Sequence, residues 1–367
     1  MTWERSTTGT KLYKIAGRII LGIFIFLPLV IRSNAPLRHK PGVELSGYPV
    51  RDDLVTENVQ RRHWKVDVRW DEFELQPGVY ALPAETAQVL DLIKGSEFYL
   101  NIKVVPQAYR LWPEWNGSPP APEYWDDLGR AIVELIRITG ADYVELLNEP
   151  NFRVTEVKPA VQWYFGAAMG PEEGFYEAGY VYGEMLLVVR KIVQEEVPGG
   201  DVIAGGLFVD AGYELDNPRS TDYMKGMLAA HKTWRSNKLQ ACAISMHAYL
   251  YHYRVLNNTE AFELPMKYAE YLKKLTGVPV LFSEAAIIKK ESYPDTEEFR
   301  IRQAEWAAYL KQQVPTESAG INSGKIVGWS WYNWASVWPW EYCAMIRGEK
   351  RGDANVQPTM AYEEWSK

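Results

Sequence analysis

The chain has 367 residues, 47% apolar and 24% charged, a composition that suits a folded core and excludes a disordered or collagen-like chain. Its formal net charge of −7 leaves no basic surface of the kind polyanion binding demands, so nucleic acid is not expected as a partner. The departure from average is aromatic: 15 Trp and 23 Tyr have to be placed by any account of function.

Residues 1–35 differ from the rest. Arg5, Lys11, Lys14 and Arg18 precede the apolar run Ile19 to Ile31, which is short of the roughly 20 residues a spanning helix needs. A basic stretch followed by a short apolar one reads as an export signal. Ser33-Asn34-Ala35 offers a small-x-small cleavage site, but Pro36 would follow the cut, and a rigid ring without an N–H is a poor occupant there. The alternative is a retained amino-terminal anchor over residues 11–35, with the bulk of the chain held outside a membrane. Residues 1–35 are therefore set apart as signal or anchor, 41–350 as the folded body and 351–367 as a carboxyl-terminal tail.

From about Gly42 onward, short β-rich runs alternate with long helical patterns. The expected strands are Val43 to Leu45, Val66 to Trp70, Phe98 to Val104, Tyr143 to Leu147, Val202 to Gly206, Cys242 to Met246, Val278 to Phe282 and Ile326 to Ser330. Helices are expected over Pro122 to Thr139, Glu172 to Glu196, Thr221 to Asn237, Thr259 to Leu275 and Thr296 to Gln313, with a guessed one at Asp53 to Arg61. In the first of these, Trp125, Leu128, Ile132, Leu135 and Ile136 recur at helical spacing, and Gly140 ends the run as a C-cap. Near-continuous apolar strands imply burial on both faces, as in a parallel sheet. Eight strands alternating with helices point to an α/β fold, a single (β/α)8 TIM barrel, and no GxGxxG follows an early strand to favour a doubly wound sheet. Cys242 and Cys343 form no CxxC pair, which leaves one long-range bridge or two buried thiols open. The five histidines contain no HExxH and no Cys/His cluster, so neither metal nor organic cofactor is expected.

In such a barrel the working residues lie at the carboxyl ends of the strands. Strand four ends in Asn148-Glu149-Pro150-Asn151 and strand seven in Ser283-Glu284. Each places a glutamate just past apolar residues, where a lone carboxylate is costly to bury. Paired carboxylates are what glycosidic cleavage needs, one as proton donor and one as nucleophile or base. Asn148-Glu149-Pro150, then His247-Ala248-Tyr249, then Glu284, then Gly328-Trp329-Ser330-Trp331 resemble, in that order, clan A of the retaining glycoside hydrolases, in its cellulase and β-xylosidase flavour. The stretch Trp70-Asp71-Glu72-Phe73-Glu74-Leu75-Gln76-Pro77-Gly78-Val79-Tyr80 resembles a segment found after an early strand there.

The resemblance implies that Glu149 is the general acid/base, Glu284 the nucleophile and Asn148 a partner of the sugar 2-hydroxyl. It implies that Tyr249 orients the nucleophile, that His247 lines the site, and that Trp329, with Trp331 as a second candidate, is an aromatic platform for the sugar. Many members carry an arginine near the end of an early strand. Aligning on Trp70 puts Lys65 there, and Lys does not replace a bidentate Arg. The expected protein is an exported or membrane-anchored retaining β-glycosidase acting on an oligo- or polysaccharide. Its rival is a catalytically silent barrel serving as a carbohydrate-binding or structural subunit at a membrane.

Overall fold

The alternation of apolar and polar residues along His63-Trp64-Lys65-Val66-Asp67-Val68-Arg69 already assigns two faces to one strand, and the computed structural model buries Trp64, Val66 and Val68 on one face and Lys65 on the other. It describes residues 41–45, 63–95, 97–103, 120–152, 174–209, 215, 218–230, 241–256, 258–288, 296–314, 326, 328–331, 335–336, 346–347 and 357–358. Eight strands pair in parallel: β1 (Pro41–Leu45), β2 (His63–Arg69), β3 (Glu97–Lys103), β4 (Tyr143–Leu146), β5 (Asp201–Phe208), β6 (Ala243–Tyr251), β7 (Val280–Ile288) and β8 (Gly328–Trp331). Each lies beside its chain neighbour, and the sheet curls until β8 meets β1, with Pro41 beside Trp329 and Val43 beside Trp331.

Between the strands run α1 (Ala84–Leu92), α2 (Trp125–Thr139), α3 (Phe175–Glu196), α4 (Pro218–Ala230), α5 (Glu263–Thr276) and α6 (Glu297–Gln313). The apolar stripe of α2 is buried at Trp125, Leu128, Ile132, Leu135 and Ile136, and Gly140 caps the helix in the left-handed conformation at φ 74°. These side chains join Leu100, Ile102, Val144, Leu146, Val202, Ala204, Ile244, Met246, Val280 and Phe282, all of one pleat parity, in a core between sheet and helices. Burying one such Leu or Ile is worth about 1.5–3 kcal/mol. The opposite parity faces the lumen, where Tyr99, Tyr143, Ile203, Ala243 and Leu281 pack as a separate apolar layer. One step along the strands toward their carboxyl ends, that parity reads Asn101, Glu145, Ser245 and Ser283, all buried.

Several boundaries differ from expectation. β6 and β7 run well past Met246 and Phe282, because alternation continues through His247-Ala248-Tyr249 and the strands stay paired up to Tyr251 beside Ile288. Trp70 opens a helical turn, Trp70–Phe73, rather than closing β2. α1 has no counterpart among the expected helices, and its only buried residue is Val89, too little for an apolar stripe to show in the sequence. The Trp70-to-Tyr80 stretch folds as this turn plus a small hairpin. Glu74 accepts there from Trp70 Nε1 at 2.6 Å and Gly78 N at 2.7 Å, while Phe73 and Tyr80 stack at 5.4 Å.

Cys242 is a free thiol that donates to the Val202 carbonyl at 3.4 Å, and burial pushes its pKa up. Gln357–Pro358, in the segment read as a tail, pairs with Ile346–Arg347. The signal or anchor segment, the guessed helix at Asp53 to Arg61 and Cys343 lie outside the described residues. Among the described residues no helix is long and apolar enough to cross a membrane.

Candidate active site

Three local departures from regular strand geometry bring side chains together at the carboxyl end of the barrel. In the first, the chain leaving β4 takes left-handed conformations at Leu147 (φ 67°) and Glu149 (φ 46°), costly for residues with a Cβ. The Glu149 N–H is fixed by the Gly206 carbonyl at 2.9 Å.

The second is a bulge in β5, where pairing with β6 shifts register between Ala204 and Leu207, and Gly205 and Gly206 take up the extra length at φ 112° and 68°. A Cβ on Gly206 would lie 2.7 Å from Glu145 Oε1 and 3.1 Å from the Leu147 carbonyl, so this close approach requires glycine. The third departure is in β7. Phe282 sits beside Met246 but Glu284 sits beside His247, which makes Ser283 the extra residue and sets Glu284 level with His247.

The result is a buried cluster. His247 Nδ1 lies 2.6 Å from Glu149 Oε1 and Nε2 lies 3.4 Å from Glu284 Oε1, so one imidazole spans the space between the two carboxyl groups. The side chains of Glu149 and Glu284 are 5% and 4% exposed and that of His247 is closed to solvent. Lys65, wholly buried on β2, donates from Nζ to Glu284 Oε1 at 2.6 Å. The Tyr249 hydroxyl donates to the other oxygen, Oε2, and its ring meets His247 edge to face at 5.6 Å. Glu284 is thus faced by a cation and a hydroxyl donor, both of which favour its ionised form.

Asn148 is buried beside Glu149. Asn151 clamps the same loop to β5, donating to the Phe208 carbonyl at 2.7 Å and accepting from Phe208 N at 2.8 Å. Glu145 lies beneath the cluster, and burial raises its pKa against the opposing pull of Lys65. Among the described residues no group of three or more His, Cys, Asp or Glu is arranged to hold a metal ion.

The structure therefore gathers Asn148, Glu149, His247, Tyr249 and Glu284, and it adds Lys65, Glu145 and Asn151. Lys65 occupies the place for which the resemblance implies an arginine. Trp329 is 1% exposed, lies beside Phe282 in register and packs with the core between sheet and helices. Trp331 sits beside Ala285 at the end of β8, and its side chain lies outside the described residues.

No protein-family model matches the sequence, and no curated protein is significantly similar to it. Solved structures are similar in fold. A family 39 glycoside hydrolase from the gut symbiont Bacteroides cellulosilyticus WH2 aligns at TM-score 0.58 and 16% identity, over 91% of this chain and 64% of that one. A β-glycosidase, BGL167, aligns at TM-score 0.58 and 14% identity, over 86% of this chain and 84% of that one. A monomeric β-xylosidase from Caulobacter crescentus CB15 aligns at TM-score 0.53 and 14% identity, over 91% and 69%. The neighbours in fold are thus family 39 and other clan A glycoside hydrolases, and the chain spans about two thirds of the length of the first of these.

Proposed function

We propose that the protein is a retaining β-glycosidase. The observation that carries this reading is the placement of two buried glutamates, from the ends of β4 and β7, against the two nitrogens of one imidazole, with a lysine committed to one of them.

That asymmetry supports the following roles. Glu284, held by the Lys65 ammonium and the Tyr249 hydroxyl, is the ionised group and attacks the anomeric carbon. Glu149 delivers its proton to the glycosidic oxygen as that carbon–oxygen bond breaks, leaving a glycosyl ester on Glu284 and a carboxylate at Glu149. In the second step Glu149 takes a proton from water, whose oxygen attacks the anomeric carbon and releases Glu284. The negative charge moves from Glu284 to Glu149 and back across His247, so the net charge of the buried cluster is constant through the cycle. Asn148, beside Glu149, is suited to hold the 2-hydroxyl, a contact that strengthens in the transition state. The substrate class is an oligo- or polysaccharide. An exported location is supported by the basic-then-apolar segment and by likeness in fold, at TM-score 0.60 and 12% identity, to a conserved exported protein from Bacteroides fragilis.

The test is a screen of aryl β-glycosides and oligosaccharides, with the anomer of the first-formed product read by NMR. Glu284→Ala abolishes turnover while circular dichroism shows the fold retained, and the wild type releases product of retained configuration. Inversion would refute the double displacement. Lys65, standing where the resemblance implies a bidentate arginine, favours a second reading, a catalytically silent barrel that binds carbohydrate or serves as a structural subunit at a membrane. An inert wild type that binds oligosaccharides in calorimetry would establish it.

A further inference from the structure

Glu145 projects into the barrel lumen from β4, four residues before Glu149, and is fully buried. Asn101 Nδ2 on β3 donates to Glu145 Oε1 at 3.0 Å and also to the Leu147 carbonyl at 3.2 Å. Gly206 on β5 comes so close to the same oxygen that no side chain fits between them. The Ser283 hydroxyl on β7 faces the carboxyl, as do the charges of Lys65, His247 and Glu284, and from α3 the phenol of Tyr182, which donates to the Leu146 carbonyl at 2.8 Å.

Two consequences follow. Mechanically, the carboxyl group is tied to the strand end that carries Glu149: through Asn101 it is linked to the left-handed turn at Leu147, and Gly206, whose carbonyl fixes the Glu149 N–H, lies against its Oε1. Electrostatically, among the described residues the lumen holds three buried carboxyl groups, Glu145, Glu149 and Glu284, against one buried lysine, and that lysine is already committed to Glu284 at 2.6 Å. A second lumen carboxylate in this layer would be an uncompensated buried charge, which costs far more than keeping the proton.

We propose that Glu145 is a positioning residue that works as a neutral carboxylic acid, bracing from inside the barrel the strand end that carries Glu149. Its part in turnover rests on the glycosidase reading above, whereas its protonation does not.

The experiment pairs Glu145→Gln, which keeps the shape and a neutral acceptor, with Glu145→Ala, which keeps neither. Infrared difference spectra of wild type against Glu145→Gln at pH 7 show a protonated-carboxyl C=O band that the substitution removes. In kinetics on an aryl β-glycoside, Glu145→Ala lowers kcat by about 100-fold, the scale of a misplacement near 1 Å, with KM little changed, and Glu145→Gln rescues most of the loss. A carboxylate band in place of the C=O band, or a Gln variant as impaired as the Ala variant, overturns the proposal. Should Glu145→Ala fail to fold, the infrared comparison and the Gln variant still decide it. A wild type without glycosidase activity would sink the catalytic reading of Glu149 and Glu284 while the band at Glu145 stands.

Discussion

Removing the ammonium from Lys65 is the sharpest perturbation the site offers. Lys65→Met keeps the length and apolar stem of the side chain and deletes its charge in a place closed to solvent, 2.6 Å from Glu284 and 4.0 Å from Asp67. Breaking a buried pair by removing one partner costs about 3–5 kcal/mol, because the other charge is left uncompensated. Glu284 escapes that penalty by taking up a proton. At about 1.36 kcal/mol per pKa unit, the penalty corresponds to an upward shift of about 2 to 4 units, with the lower end favoured because the Tyr249 hydroxyl still donates to the carboxyl. The sign is fixed: losing a nearby cation disfavours the ionised form, and only the ionised form attacks. The acid limb of kcat/KM against pH, measured on an aryl β-glycoside, therefore moves up by about 2 units or more, and at a pH below both limbs the variant is about 100-fold less active or lower still. Urea denaturation at pH 7 reports the same event without turnover, as a loss of several kcal/mol that shrinks toward acid pH. An acid limb that stays within a few tenths of a unit of wild type, with unchanged stability at pH 7, would refute the role given to Lys65.

Tyr249→Phe removes one hydroxyl donor to a carboxylate, a contact worth about 1.5–3 kcal/mol, and lowers kcat by about 10- to 100-fold in steady-state assays. Gly206→Ala forces a Cβ against Glu145 Oε1 at a φ of 68°, so thermal melts show a loss of about 1–3 kcal/mol and kcat falls with it; an unaffected variant would show that the bulge has room. Because burial raises the pKa of Glu145 above the ordinary 4.5, the native state holds a proton that the unfolded chain gives up above that pH. Wild-type stability accordingly falls relative to Glu145→Gln as pH rises from 4.5 toward the native pKa, by up to about 1.4 kcal/mol per unit, and a pH-independent gap between the two in urea titrations would contradict this.

How much of this is legible in the sequence depends on which property is asked of each residue. The helix-facing stripe of α2 and its Gly140 cap are legible because apolar spacing and a glycine stop are local signals, and they stand where expected. The ends of β6 and β7 are not, since an apolar run with a tyrosine or glutamate in it resembles a strand followed by a loop. What extends them is pairing with each other through a bulge at Ser283, which is a property of two segments at once. Lys65 lies between these cases, because its pattern is local but its meaning depends on the closure of the sheet. In Trp64-Lys65-Val66-Asp67-Val68 the charged residues alternate with apolar ones, which in a lone sheet marks a solvent face. In a closed barrel there is no solvent face, so the same alternation marks charges pointing into the lumen, and a lumen lysine needs a partner.

Part of the aromatic surplus lies in the core. The tryptophans whose side chains are described, Trp64, Trp70, Trp125, Trp306 and Trp329, are all buried, and Trp70 and Trp125 direct their indole N–H groups to Glu74 and the Pro120 carbonyl. Large flat side chains serve here as filler between a curled sheet and its helices. What the sequence places on one face of the site is instead a set of polar residues, Lys65, Glu145, Glu149, His247, Tyr249 and Glu284, whose charges nearly cancel when Glu145 and Glu149 keep their protons. Under the proposed roles, one lysine for one carboxylate and two neutral acids is the balance that makes a buried cluster tolerable, and moving the negative charge between Glu149 and Glu284 leaves it undisturbed.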